Sequence, residues 1–265
     1  MPFHKYENLS LHYQEYGAGD KILLFIHGLG GNGSVWKYQI EHFKQDYHLI
    51  TVDRFGHGQS TKGIDPVTAP RCDAEAIDHL MREEFRKPYI ALGHSFATFI
   101  LPEMMKLGDA HLRGAVFIDC TYADFESVVQ DRTHFAQKML AVTENGLRAA
   151  TERWYRDIIG PAGDDDRELI MSSLAYCNPR WLFQSVAGCR EYVFLYPPRE
   201  TPLKEDFPVL IMEAEKGVGD NIQKSWVNHF KEAQYYLLEK ADHFFFVTEH
   251  DRVNRRLDQF LSEIS

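Results

Sequence analysis

The chain has 265 residues, a net charge of −10 and a hydrophobic share of 44%, enough for one large core without a second independent domain. Lys and Arg number 29 against 39 acidic residues and form no cluster, which argues against nucleic-acid or anionic-membrane partners and leaves small-molecule chemistry. Met1 to Lys5 lacks the apolar core of a signal peptide, no stretch reaches the roughly 18 apolar residues of a membrane span, and Cys72, Cys120, Cys177 and Cys189 are scattered, so a cytoplasmic protein with reduced thiols is expected.

In chain order, Leu9, Leu11 and Tyr13 alternate within residues 6–16 and predict the edge strand of an antiparallel hairpin whose other strand has no clear pattern. Lys21 to His27 is a continuous apolar run, as expected of a strand covered on both faces. Ser34 then caps a predicted helix with Trp36, Ile40 and Phe43 on one face, and His48 to Asp53 forms a second buried strand. A tight loop from Arg54 to Ser60 leads to a helix over 73–87 presenting Ile77, Leu80, Met81 and Phe85.

The next strand, Pro88 to Gly93, runs into Gly93-His94-Ser95-Phe96-Ala97 and then a helix. A serine on a sharp strand-to-helix turn stands clear of the sheet, where a base and backbone N–H groups can reach it. Pro102 predicts a kink in the helix that follows. Gly114 to Asp119, Pro208 to Met212 and Gln234 to Leu238 read as further buried strands, so strands alternate with helices in a doubly wound α/β pattern.

Between Asp119 and Pro208 the patterning is helical instead: Phe135, Met139 and Val142, then Leu147 to Ile159, Leu169 to Tyr176 and Trp181 to Tyr192. The aromatic residues of this insertion, Trp154, Tyr155, Trp181, Phe183, Tyr192, Phe194 and Tyr196, are candidates for a pocket lining or for plain core. Asp164-Asp165-Asp166 reads as a solvated helix start rather than a metal site.

Gly28-Leu29-Gly30-Gly31-Asn32-Gly33 fits Gly-x-Gly-x-x-Gly, follows a strand, and has Asp53 at the end of the next strand, as in a dinucleotide fingerprint. His27 before the first glycine turns the run into His-Gly-x-Gly-Gly, a loop that offers a backbone N–H to an oxyanion. A nicotinamide reading would also leave Ser95 and the later His243 unexplained, so the oxyanion reading is preferred.

With His27-Gly28-Leu29-Gly30-Gly31, Asp53 to Ser60, Gly93 to Ala97 and Ala241-Asp242-His243-Phe244 in that order, the chain resembles the α/β-hydrolase superfamily from end to end. The resemblance implies an eight-stranded, mostly parallel sheet with the second strand antiparallel, a core formed by residues 1–121 and 205–265, and a helical cap at 122–204. It also implies a triad with Ser95 as nucleophile and His243 as base, and an oxyanion hole from the N–H groups of Leu29 and Phe96. Ala97 stands where the family usually has glycine, and its small side chain preserves the turn. His94 is expected to support packing, and His27 and His57 to stabilise loops.

The acid is displaced. Where the family usually carries it after the seventh strand, this chain reads Ala214-Glu215-Lys216-Gly217, with glycine at the acid position. The run Glu213 to Gly217 is similar to that of haloalkane dehalogenases and related coelenterate-type luciferases, some of which place the acid after the sixth strand. That position is Asp119 here, favoured over Asp220, with Asp124 and Glu215 as outsiders. Dehalogenase chemistry itself is not expected, because Ser95 and Phe96 stand where it needs Asp and Trp. Expected are hydrolysis of a small ester, thioester or lactone with an apolar acyl group, and no metal or organic cofactor. C–C bond hydrolysis, lyase or acyltransfer chemistry by the same triad, or a ligand-binding signalling protein with a slow or vestigial triad, are the alternatives. Oligomeric state is not readable.

Overall fold

The structure is a computed structural model that describes residues 2–65, 68–119, 143–195, 208–217, 230 and 233–264. Eight strands form one sheet in the order β1-β2-β4-β3-β5-β6-β7-β8. They are β1 (Phe3–Tyr6), β2 (Leu9–Tyr16), β3 (Ile22–Ile26), β4 (His48–Asp53), β5 (Tyr89–His94), β6 (Leu112–Ile118), β7 (Val209–Lys216) and β8 (Gln234–Asp242). β2 runs antiparallel to β1 and β4, and every other pairing is parallel.

The edge of the hairpin is β1 rather than the 6–16 strand, which is internal. Four residues with an exposed Phe3 are too short an alternation to read from sequence. Alternation inside the parallel strands sorts two cores: Ile22, Leu24 and Ile26 pack on one face of the sheet, and Leu23 and Phe25 on the other.

The helices are α1 (Lys37–Phe43), α2 (Ala69–Leu80), α3 (Ile100–Leu107), α4 (Glu144–Ile159), α5 (Asp164–Leu174), α6 (Pro179–Leu195), α7 (Phe245–Thr248) and α8 (His250–Glu263). Three local expectations change. The cap before α1 is Asn32, whose side chain accepts from the Ser34 N–H at the start of a 3₁₀ turn over Gly33–Trp36. α2 starts at Ala69 because Pro70 falls in its first turn, where a missing N–H costs no internal bond, and a π-helical turn over Met81–Phe85 extends it. Pro102 likewise sits in the first turn of α3, after a 3₁₀ segment over Ser95–Phe99, so it interrupts no helical ladder.

Helices α4 to α6 lie between β6 and β7, as expected of an insertion. Phe135, Met139, Val142, Tyr196 and the expected boundaries at 121/122 and 204/205 fall outside the described residues.

Register brings the functional loops together. Ile26 pairs with Gly93, His94 with Ile118, and Ile118 with Met212. The chain therefore leaves β3, β5, β6 and β7 at one edge of the sheet. There the order reverses between β3 and β5, which is where open α/β sheets form a ligand crevice.

Candidate active site

Ser95 follows β5 directly, is buried, and holds φ at 54°. A non-glycine residue is strained in this left-handed region, and such strain persists where the surroundings over-determine the backbone. They do so here. A Cβ on Gly93 would lie 3.0 Å from Leu101 and 3.2 Å from the Ala97 Cβ, and one on Gly28 would lie 2.9 Å from the Ser95 Cβ. Thr98 Oγ1 donates to the Ser95 carbonyl at 2.6 Å. Ala97 thus fits because Gly93 has no side chain.

On the β6 side, Asp119 is buried just past the strand with φ at 45°. Its Oδ1 accepts from the Ala214 N–H at 3.1 Å, and its Oδ2 pairs with His243 Nδ1. A side chain on Gly217 would collide with this carboxylate. Glycine at the usual acid position is therefore the space that Asp119 fills. Asp220 and Asp124 lie outside the described residues, while Glu215 accepts from the Lys240 N–H at 2.7 Å.

His243 is buried at the end of β8. His94 does more than pack: its Nε2–H donates to the His243 carbonyl at 3.1 Å, and the two rings lie 4.6 Å apart. Burial, with the neighbouring His243 second, holds the His94 imidazole well below the usual range, so it is neutral.

On the β3 side, His27 Nδ1–H donates to the Gly28 carbonyl at 2.7 Å, and its Nε2 accepts from the Arg54 N–H at 3.0 Å. His57 Nδ1–H donates to the Phe55 carbonyl at 3.1 Å, and its Nε2 accepts from the Gly30 N–H at 2.9 Å. Each bond set uses a single ring proton, so both rings must be neutral. Burial first and the Arg54 charge second lower both, His27 to about 3 and His57 well below the usual range.

The insertion reaches the same loop. Tyr155 of α4 donates its hydroxyl to the Leu29 carbonyl, Ser173 of α5 reaches the Gly30 carbonyl at 3.4 Å, and Trp181 of α6 donates to the Ile64 carbonyl at 3.1 Å. The Leu29–Gly30 peptide is thus gripped at its C=O by Tyr155 and at its N–H by His57. Of the insertion's aromatic residues, Tyr155, Trp181 and Phe183 are buried. Sequence reasoning missed the grip of Tyr155 and the tether of His94, since their partners lie 126 and 149 residues away in the chain.

Asp53 is committed to the protein itself. It accepts from the N–H groups of Gly33 and Gln59, both at 2.9 Å, and pairs with His12 at 2.8 Å. The glycine loop is accordingly bonded into the fold at the point where a dinucleotide would need the carboxylate. Among the described residues no group of three His, Cys, Asp or Glu side chains could hold a metal ion, and no helix is long and apolar enough to cross a membrane.

A family model described as "Alpha/beta hydrolase family" matches residues 23–256. A 3-oxoadipate enol-lactonase from Acinetobacter baylyi is 23% identical over 217 residues, covering 78% of this chain and 75% of that protein. An (E)-2-((N-methylformamido)methylene)succinate hydrolase from the same organism is 48% identical over 54 residues, only 20% of either chain. The enol-lactonase of Burkholderia xenovorans superposes with a TM-score of 0.81 at 16% identity, over 98% of this chain and 100% of that one, a likeness of fold.

Proposed function

This chain belongs to the alpha/beta hydrolase family, and from that premise we propose that it is an enzyme, a serine hydrolase that cleaves a small ester, thioester or lactone through an acyl-enzyme. The observation that carries the reading is the buried Asp119–His243 pair at the strand edge beside the strained Ser95 turn.

Ser95 Oγ attacks the substrate carbonyl while His243 Nε2, the nitrogen turned away from Asp119, takes its proton. Asp119 fixes the imidazole tautomer through Nδ1 and stabilises the imidazolium. The tetrahedral oxyanion is held by the N–H groups of Leu29 and Phe96. The peptide that carries the Leu29 N–H is set by His27, which bonds its carbonyl end at Gly28 and polarises the donor. His243 then protonates the leaving group, and water repeats the sequence in reverse to release the acid.

Residues 1–121 and 205–265 form the catalytic core in this reading, and 122–204 a cap over it. That two relatives are named for an enol-lactone and for an amide-bearing succinate supports attack on an activated carbonyl. Labelling with a fluorophosphonate probe tests the assignment. The native protein should label and Ser95→Ala should not; absent labelling of the native protein, or undiminished labelling of the variant, overturns it.

A further inference from the structure

Arg54 is fully buried beside the candidate site, yet most of its hydrogen-bonding capacity is unused. Its Nε donates to Asp73 Oδ2 at 3.0 Å. Asp73 Oδ1 is already committed to the Phe55 N–H at 2.9 Å, so the ion pair is one-pronged rather than a fork. Both terminal nitrogens, Nη1 and Nη2, are buried without a hydrogen-bond partner among the described residues. An arginine kept only to anchor a loop would engage these donors, because leaving charged donors buried and unmatched is costly.

The guanidinium also lies against the turn that carries Ser95. Its carbon lies 4.4 Å over the ring of Phe96, the residue after Ser95. Its backbone N–H is held by His27, next to the Gly28 that touches Ser95. Its charge acts on His57 from the core and on Tyr155 and Cys177 from the insertion. Among the described residues Asp73 is the carboxylate that pairs with it, through Nε; His27 and His57 are neutral, and the carboxylate of Asp53 is taken by Gly33, Gln59 and His12.

Resting on the reading of Ser95 as nucleophile, we propose that Arg54 is a substrate-binding residue whose terminal nitrogens receive a carboxylate, so that the substrate is a short ester, thioester or lactone carrying a second, free carboxylate. The planar fork matches a carboxylate in geometry and sign, and its position one ring away from the residue following Ser95 calls for a short spacer between carboxylate and scissile carbonyl. This departs from the apolar acyl group expected from the aromatic insertion.

Protection of Ser95 from a fluorophosphonate reads this out on the whole protein without knowing the natural substrate. Glutarate at about 10 mM should slow labelling at least roughly tenfold, as a charge-assisted bidentate contact implies, while its uncharged counterpart glutaramide should not. In Arg54→Lys the protection should weaken about tenfold, since one compact ammonium replaces the fork. In the pair Arg54→Met with Asp73→Asn, which leaves no orphaned charge, it should vanish, each variant being compared with its own unprotected rate. Equal protection by the two compounds, or none by either, in the native protein overturns the assignment and leaves the Ser95 reading standing. Native protein that does not label sinks the Ser95 reading, and this assignment with it.

Discussion

On the β3 side of Ser95, the loop from His27 to Gly31 is tied by two neutral imidazoles, a tyrosine hydroxyl and close-packed glycines, and in the proposed mechanism it offers a backbone N–H. On the β6 side the contribution is one side chain, Asp119, standing in space vacated by Gly217 on the neighbouring strand. A backbone donor has to be built by the residues around it, so its position is written into a short motif. A carboxylate needs only to reach one point beside His243, and the ends of β6 and β7 lie next to each other there.

Relocating the acid is the strongest way to break this comparison. Asp119→Gly should lower kcat by about 10⁴-fold, the scale of losing the orienting acid of a triad. Adding Gly217→Asp should recover at least about tenfold, because the glycine at 119 both suits the positive φ there and removes the collision. Steady-state kinetics of the single and double variants decide it, and a double variant no better than the single would show that the two strand ends are not interchangeable.

The buried histidines around Ser95 should make the fold sensitive to acid. Burial keeps His27, His57 and His94 neutral in the folded protein, far below the usual imidazole range. The unfolded chain takes up those protons below pH about 6.5. The unfolded state then binds more protons, so stability rises with pH and is lost as pH falls from about 6.5 towards 3, by about 1.4 kcal/mol per pH unit for each imidazole. Urea unfolding at pH 7.5, 6.0 and 5.0 measures this, and an unchanged midpoint would refute it.

A smaller effect is expected from loosening the loop. His57→Ala, which removes the acceptor for the Gly30 N–H, should lower kcat roughly tenfold to a hundredfold with little change in KM, less than deleting an oxyanion donor outright. Smallest is Tyr155→Phe. Losing its bond to the Leu29 carbonyl should cost about 1 kcal/mol, a few-fold in kcat; a drop as large as that of His57→Ala would mean that the insertion sets the donor as strongly as the core does.

Much of the fold was legible because β3 and β5 are continuous apolar runs, and these positions are indeed buried on both faces, whereas Gln234 to Leu238, expected as a buried strand, belong to the edge strand β8, where of these five only Leu238 is buried. β1 was not legible, being four residues long, nor were the helix starts at Pro70 and Pro102, where proline is neutral only because the first turn has no bonds to lose. At the candidate site, the strained turn at Ser95 and the glycine loop at Leu29 were legible as local structure, because a sharp turn and a glycine loop are local constraints on φ and on close approach. The same local logic pointed to His27 and His57 as loop supports.

Asp119 was chosen over Asp220 on the glycine at 217 and on the resemblance of Glu213 to Gly217 to relatives that carry the acid after the sixth strand. In the structure Ile118 pairs with both His94 and Met212, which puts the end of β6 between Ser95 and the turn that ends β7. Arg54 was legible only as the start of a tight loop, and Tyr155 only as one of seven aromatic residues for a pocket lining or core. Their partners lie on α2 and on the oxyanion loop, 19 and 126 residues away in the chain, and contacts at that separation exist only once the sheet has brought its strand ends to one edge. The sequence by itself determined the elements and the backbone groups held by short-range sterics, while the pairing of side chains across strands and insertion was decided by tertiary structure, because it depends on register and packing rather than on neighbours in the chain.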